Sequence, residues 1–297
     1  MRESTISKSD RKSSQKITYN KFLLNDLMAG LGAKGFVKIK TLKDLVNYRF
    51  IRSLRLKKDE MVLDLGCNAG ELLNKIVATY RIKGYGLDIS DKTIEVAKRF
   101  NPYGNQYIVG DGENLPYRDG YFDVVVSTDV LEHVPRPDKV ISEIARVLKA
   151  GGRFYIYCIS RRNFLTAGWF MQKFHYKNAW GDVGDHQKDL LVDPKILTKI
   201  PTLKVEKISY FDSFFMHLFD EFVIRPFLAL VASSRPRQKV FDKKFKIKKA
   251  SYPVRFSRSA AIYLFFLKTF YYIALILDSP WRLFKLSNAI LVSGQKK

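Results

Sequence analysis

The sequence predicts an α/β fold: a seven-stranded, mostly parallel sheet with helices on both faces, and a helical insertion between the sixth and seventh strands. Three observations lead there. Short apolar runs alternate with helix-period segments from Met61 onward, the signature of βαβ units. The run Phe122–Ser127 is apolar through its centre, Val124-Val125-Val126, as a strand buried on both faces requires. Two further strand-like segments, Leu203–Tyr210 and Asn288–Gly294, are separated by 77 residues of different character.

The elements follow in order. Met61–Leu65 is a short apolar strand ending at Gly66, and Gly70–Tyr80 has helical spacing. Gly84–Asp88 is the second strand and Asp91–Phe100 the second helix; Gln106–Gly110 is the third strand and Phe122–Ser127 the fourth. Pro137–Lys149 places Val140, Ile144 and Val147 on one helical stripe, with Gly151 as the expected C-terminal stop. Gly152–Ile159 is the fifth strand, and a short helix is expected at Pro194. Before the sheet, residues 1–20 read as a disordered basic arm, Lys21–Met28 and Leu42–Leu54 as helices forming a lid over residues 21–60. The catalytic core is expected over 61–210 and 288–297, and the insertion over 211–287.

Composition narrows the function classes. The 297 residues carry 52 Lys+Arg against 29 Asp+Glu, a formal charge of +23. A hydrophobic fraction of 46% excludes a wholly disordered basic tail, and two cysteines exclude a disulfide-built scaffold. No Cys-x-x-Cys pair suggests a metal site. No apolar run precedes Ile17, so no cleaved signal peptide is expected; the expected location is cytoplasmic, peripheral or monotopic on the cytoplasmic membrane face. The charge implies an anionic partner, nucleic acid or membrane. It is unevenly spread. Residues 61–160 hold 12 basic and 13 acidic residues, whereas 235–258 hold 10 basic and one acidic.

Chemistry gathers at the carboxyl ends of the first strands, where such sheets bind ligands. Asp64 closes the first strand, Asp88 the second, and Asp111 follows the third. Gly66-x-x-x-Gly70 is a turn that a ligand can approach closely. Asp88 lies 22 residues beyond Gly66, a spacing suited to gripping ribose hydroxyls. A dinucleotide site would want G-x-G-x-x-G for its pyrophosphate; an acid beside the turn suits a cationic ligand instead.

These motifs, in order, resemble the class I S-adenosylmethionine-dependent methyltransferases, most closely the group typified by ubiquinone and menaquinone methyltransferases. The similarity covers Met61–Cys158. It rests on Val62-Leu63-Asp64-Leu65-Gly66-Cys67, Gly86-Leu87-Asp88, Gly110-Asp111-Gly112-Glu113-Asn114-Leu115-Pro116, Phe122-Asp123-Val124-Val125-Val126-Ser127, Val130-Leu131-Glu132-His133-Val134 and Glu143-Ile144-Ala145-Arg146-Val147-Leu148-Lys149-Ala150-Gly151-Gly152. The resemblance implies a Rossmann-like sheet and S-adenosylmethionine as cofactor. It implies that Gly66 and Gly70 shape the turn under the methionine part, Asp64 orients the ammonium, and Asp88 holds the ribose. Ile89 would pack on adenine, Asp111 and the Gly112 backbone would bind its amine, and Ser127 and Thr128 would line the methionine side. Asn68 stands where relatives often carry glycine; asparagine tolerates a left-handed backbone. For an acceptor that needs a base, His133 and His186 are the candidates, His133 also reading as a residue that shapes its loop. Cys67 and Cys158 read as buried small hydrophobes.

The insertion carries the remaining signal. In Phe214–Val231, Phe215, Leu218, Phe219 and Phe222 share one face. Ala260–Leu277 is 18 residues with one charge, Lys268. As a transmembrane helix it is marginal: its apolar residues contribute roughly −4 kcal/mol and a central lysine costs about +3. A return to the sheet at Asn288 would also require two crossings. A monotopic helix lying in an anionic interface fits better, with a soluble cap over the site as the alternative. The expected function is methyl transfer to a lipid-like or lipid-linked acceptor at a membrane surface. The competing readings are a nucleic-acid methyltransferase using the basic blocks, and a non-catalytic cofactor-binding scaffold.

Overall fold

The computed structural model describes residues 49–174, 193, 195–211, 213–224 and 258–297. Strands β1 (Met61–Leu65), β2 (Lys83–Asp88), β3 (Gln106–Val109), β4 (Phe122–Thr128), β5 (Leu148–Ile159), β6 (Leu203–Phe211) and β7 (Ala289–Lys296) form one sheet. Their order is β3-β2-β1-β4-β5-β7-β6. Neighbours among β1 to β5 pair in parallel, and β7 runs antiparallel to both β5 and β6. The first five strands thus follow the doubly wound order, with the switch point between β1 and β4.

The sheet is covered on both faces. Helices α1 (Glu71–Tyr80) and α2 (Asp91–Arg99) lie on one side and α3 (Pro137–Val147) on the other. Val124 and Val126 pack in a cluster with Leu73 and Ile76 of α1, Ile94 and Ala97 of α2, and Phe50 and Leu54. Val125 faces the other way, with Val140, Ile141 and Ile144 of α3, Phe154 and Ile156. The unbroken valine run of β4 is therefore divided between two cores. Local chemistry sets the helix starts. Ser90 caps α2 by accepting from the Thr93 amide at 3.2 Å. Pro137 occupies the first turn of α3.

Several expected boundaries move. The segment before the sheet is helical over 49–53; residues 1–48 lie outside the described residues, and with them the basic arm, the helix Lys21–Met28 and most of the second lid helix. α3 ends at Val147, not Lys149. Gly151 has φ 71 but does not stop the helix; it sits in an irregularity of β5, which already begins at Leu148 and slips register against β4 between Phe122 and Val124. The glycine that looks like a helix terminator lets the strand absorb extra residues instead. The short helix near Pro194 is α5 (Lys195–Thr198), and α4 (Ala167–Lys173) precedes it.

The insertion leaves β6 at Phe211 and returns at Ala289, which pair with each other and, through Ala289, with Ile159 of β5. It therefore springs from the carboxyl end of the parallel strands. α6 (Phe215–Phe219) runs into a π-helical turn, Asp220–Ile224. α7 (Arg258–Leu277) and α8 (Ser279–Leu283) complete the described part. Met216, Ile224, Leu267, Tyr271 and Ala274 form a separate small core, with Phe215 and Phe219 against it. Phe222, expected on that face, is exposed; the wider π turn rotates Ile224 inward in its place. No helix among the described residues is long and apolar enough to cross a membrane.

Buried polar groups pin the insertion to the sheet. The Asp278 carboxylate, after α7, accepts from the amides of Phe214 (3.0 Å), Phe215 (2.8 Å) and Met216 (3.2 Å). It caps α6 from across the insertion. Asn288 accepts from Thr166 Oγ1 at 2.5 Å and donates to the Ser213 carbonyl at 3.1 Å.

Candidate cofactor site

The site is built where β1, β2, β3 and β4 end side by side. In register, Asp64 faces Gly86 and Val126, and Leu65 faces Leu87 and Ser127. The Gly66 and Cys67 amides both donate to the Leu87 carbonyl, at 2.8 and 3.1 Å, folding the turn across β2. Gly66 (φ 78) and Gly70 (φ 79) are both left-handed. A Cβ at Gly66 would overlap Val130, beyond β4, and one at Gly70 would overlap the Tyr107 ring. Packing thus leaves room for glycine alone at both positions. Asn68 takes the left-handed conformation expected of it, φ 48.

The three acids have different surroundings. Asp64 is buried, and among the described residues neither of its oxygens has a hydrogen-bond partner. Burial, and then the charge of Asp88, push its carboxyl up to about 7, against a weak lowering pull from the Leu73 amide. An unpaired buried carboxylate is costly, and a cation would relieve it. Asp88 is half-buried and accepts from the amides of Asn68 and Ser90, each at 2.9 Å, and from Thr93 Oγ1 at 3.3 Å. It locks the turn to the start of α2. Its carboxyl is also raised, burial outweighing these donors. Asp111 accepts from the Glu113 amide at 2.9 Å, and Asn114 bonds back to its carbonyl at 3.0 Å, a tight polar turn that presents Gly112.

Ser127 is buried, and its Oγ has no hydrogen-bond partner among the described residues. Ile89, Gly112 and Thr128 are half-exposed around the same strand ends. His133 is buried in the turn after β4, its amide bonded to the Val130 carbonyl at 2.9 Å. His186 lies outside the described residues. Cys67 and Cys158 are buried, and burial pushes both thiols up, away from a reactive thiolate.

Sequence reasoning missed the supports of this site. Glu113 is buried and takes a two-pronged contact from Arg136, Nε at 3.1 Å and Nη2 at 2.7 Å, plus the Arg136 amide at 3.1 Å. Glu143 accepts from the Leu115 amide at 2.7 Å, and Arg146 donates to the carbonyls of Leu115 and Tyr117. These pairs hold the segment after β3 onto α3. The Glu143/Arg146 spacing on one helix face was visible; the Glu113–Arg136 pairing, 23 residues apart, follows no local rule.

A doubly wound sheet with a glycine turn, an orphaned buried acid and a second acid on the neighbouring strand defines a domain for a nucleoside cofactor bearing a positive charge. Comparison with known proteins agrees. A family model described as a methyltransferase domain matches residues 63–156. The chain is 30% identical to a ubiquinone biosynthesis O-methyltransferase of Mesorhizobium japonicum over 169 residues, 55% of this chain and 67% of that one. It is 33% identical to a fatty-acid O-methyltransferase of Mycolicibacterium smegmatis over 110 residues, 36% of this chain and 40% of the relative. Relatives include proteins named as O-, N- and C-methyltransferases, and the chain spans less than half the length of several of them. Phosphoethanolamine N-methyltransferase 2 of Haemonchus contortus, solved with S-adenosyl-L-methionine, shares the fold: TM-score 0.59 at 17% identity, over 100% of this chain and 61% of that one. The chain belongs to the class I S-adenosylmethionine-dependent methyltransferase family. Its cofactor is S-adenosylmethionine, and the residues fit such a cationic group: a buried acid with no hydrogen-bond partner among the described residues, a turn held by two left-handed glycines, and an α1 start that no side chain caps.

Proposed function

We propose that the protein transfers a methyl group from S-adenosylmethionine to a lipid-like or lipid-linked acceptor at an anionic membrane surface. When bound, that cofactor supplies an electrophilic methyl on a sulfonium. The chain's own contribution is positioning, which supplies much of the rate in such displacements. Asp64 holds the ammonium, Asp88 the ribose hydroxyls, and Asp111 with the Gly112 backbone the adenine amine. Ile89 covers the base, and Ser127 and Thr128 line the methionine side. Where the acceptor must lose a proton, His133 or His186 takes it.

One observation carries the membrane part. α7 packs on the insertion core through Leu267, Tyr271 and Ala274, yet its opposite side bears Phe265, Phe266, Tyr272, Ile273 and Ile276, all exposed. A helix that exposes this much apolar surface, with Lys268 as the one charge among its residues 265–277, is not an ordinary solvent-facing helix. The lysine- and arginine-rich block 235–258 runs directly into it, and the insertion rises from the sheet end that holds the cofactor site. Flotation of the full chain with phosphatidylcholine vesicles, with and without phosphatidylserine, tests the reading. Co-flotation that depends on phosphatidylserine, together with labelled methyl recovered in the lipid extract, is expected. A chain that stays with the soluble fraction and binds tRNA with a steep salt dependence would establish the nucleic-acid reading instead.

A further inference from the structure

We infer that the protein docks on the bilayer through a two-part rim beside the active-site end of the sheet, formed by the loop 161–165 and by 281–285, the end of α8 and the turn after it. This rests on the membrane reading above and names the surface that makes the contact. In the first segment Phe164 and Leu165 are exposed behind Arg161 and Arg162, which are exposed too. In the second, Leu283 is 81% and Phe284 77% exposed, next to exposed Lys285. Among the described residues these are the two large apolar side chains with the highest fractional exposure.

The two segments are one structure. Trp281 Nε1 donates to the Leu165 carbonyl at 2.7 Å, and the Ser287 amide donates to the Arg162 carbonyl at 2.9 Å. Trp281 stacks on Phe214 (5.3 Å between ring centres), and Phe164 meets Trp169 edge-on at 5.2 Å. Their roots are fixed by Thr166 and Asn288, which bond each other and the Asn163 and Ser213 carbonyls. Both segments also hold a non-glycine residue in the left-handed region, Leu165 at φ 56 and Lys285 at φ 57. A residue other than glycine is uncommon there, and such conformations persist where the surroundings impose them. Here rigid roots and a strained backbone turn apolar side chains outward.

Chemistry selects the partner. The exposed apolar side chains are flanked by three exposed cations, Arg161, Arg162 and Lys285. Acyl chains accept such side chains while lipid phosphates meet the arginines and lysine. The rim also sits where a lipid acceptor would arrive. Residue 161 follows the end of β5, and Ile159 of that strand donates its amide to Glu132, beside His133, at 3.2 Å. Docking there turns the cofactor end of the sheet toward the membrane plane.

The test uses the full chain and the same vesicles. Phe284→Cys and, separately, Phe265→Cys are labelled with an environment-sensitive dye, the two native thiols being buried. A blue shift at position 284 on adding anionic vesicles is expected. Leu283→Ser/Phe284→Ser should weaken vesicle binding at least about tenfold, and Arg161→Gln/Arg162→Gln about fivefold per charge on anionic vesicles only. S-adenosylmethionine affinity should stay unchanged in both, showing an intact fold. Wild-type flotation with a shift at 265 alone, or rim variants that float as wild type, overturns the rim and leaves the membrane reading standing. Failure of the wild type to float removes both. Loss of a wild-type dimer in light scattering on Leu283→Ser/Phe284→Ser, with flotation kept, would make a second copy the occupant and overturn the proposal.

Discussion

Two aspartates equally hidden from solvent, Asp64 and Asp278, meet opposite fates. Asp64 ends β1 with no hydrogen-bond partner among the described residues. Asp278 closes α7 with three backbone amides on its oxygens. The comparison separates a site from a joint. A buried carboxylate that is fully bonded stabilises the chain around it, and Asp278 ties the two arms of the insertion together. One left unpaired costs the free protein stability, and that cost is recovered only when a cation arrives.

The largest expected effect follows from Asp64. Asp64→Asn should weaken S-adenosylmethionine binding by about 100-fold or more in calorimetry, the loss of a buried charge-assisted contact of about 3 kcal/mol. The free protein should meanwhile be as stable as wild type or more so. A destabilised variant with unchanged affinity would place Asp64 with the structural acids. The pH dependence has a definite sign. The carboxyl is raised from 3.8 to about 7 in the fold, so between those values the folded state binds more protons than the unfolded chain. Its contribution to the free protein's stability is therefore present at low pH and falls as pH rises toward 7. Cofactor affinity runs the other way: below about pH 7 it should drop by up to tenfold per unit. The Asn variant should flatten both trends.

Asp278→Ala should do the reverse of Asp64→Asn. Three amides at the start of α6 lose their acceptor, which costs about 2–3 kcal/mol in denaturant unfolding. Cofactor affinity should hold within about twofold, because β1 to β4 do not depend on the insertion's joint. An equal loss of affinity would mean that the insertion and the cofactor site are coupled.

The contrast also explains what the sequence revealed. Asp64, Asp88 and Asp111 were legible because strand ends are readable: an apolar run, a glycine, and an acid at the junction. The valine run of β4 followed from side-chain burial, and the left-handed Asn68 from the family resemblance together with the backbone tolerance of asparagine. Asp278 was not legible, because the amides it caps lie 62 to 64 residues away and no local pattern marks such a partner. The same holds for Glu113 and Arg136. Gly151 misled for a different reason: a left-handed glycine after a helical stripe serves a helix stop or a strand irregularity equally well, and pairing with β4 decided between them. Phe222 was placed on the wrong face because a uniform 3.6-residue period cannot anticipate a π turn.

The smallest effect sharpens the comparison at its margin. Ser127 Oγ is buried and lacks a partner among the described residues, as Asp64 does, but it is neutral, so its unmet demand is smaller. Ser127→Ala should leave the free protein unchanged or up to about 1 kcal/mol more stable, since a buried hydroxyl without a bond costs on that order. If Ser127 completes the methionine side of the site, affinity should fall by less than about tenfold, one neutral hydrogen bond. Thermal unfolding with and without S-adenosylmethionine reads both at once. The variant should gain in the free state and lose part of the ligand-induced shift. A variant destabilised in the free state would place Ser127 with Asp278, as a residue whose partner belongs to the chain and not to the cofactor.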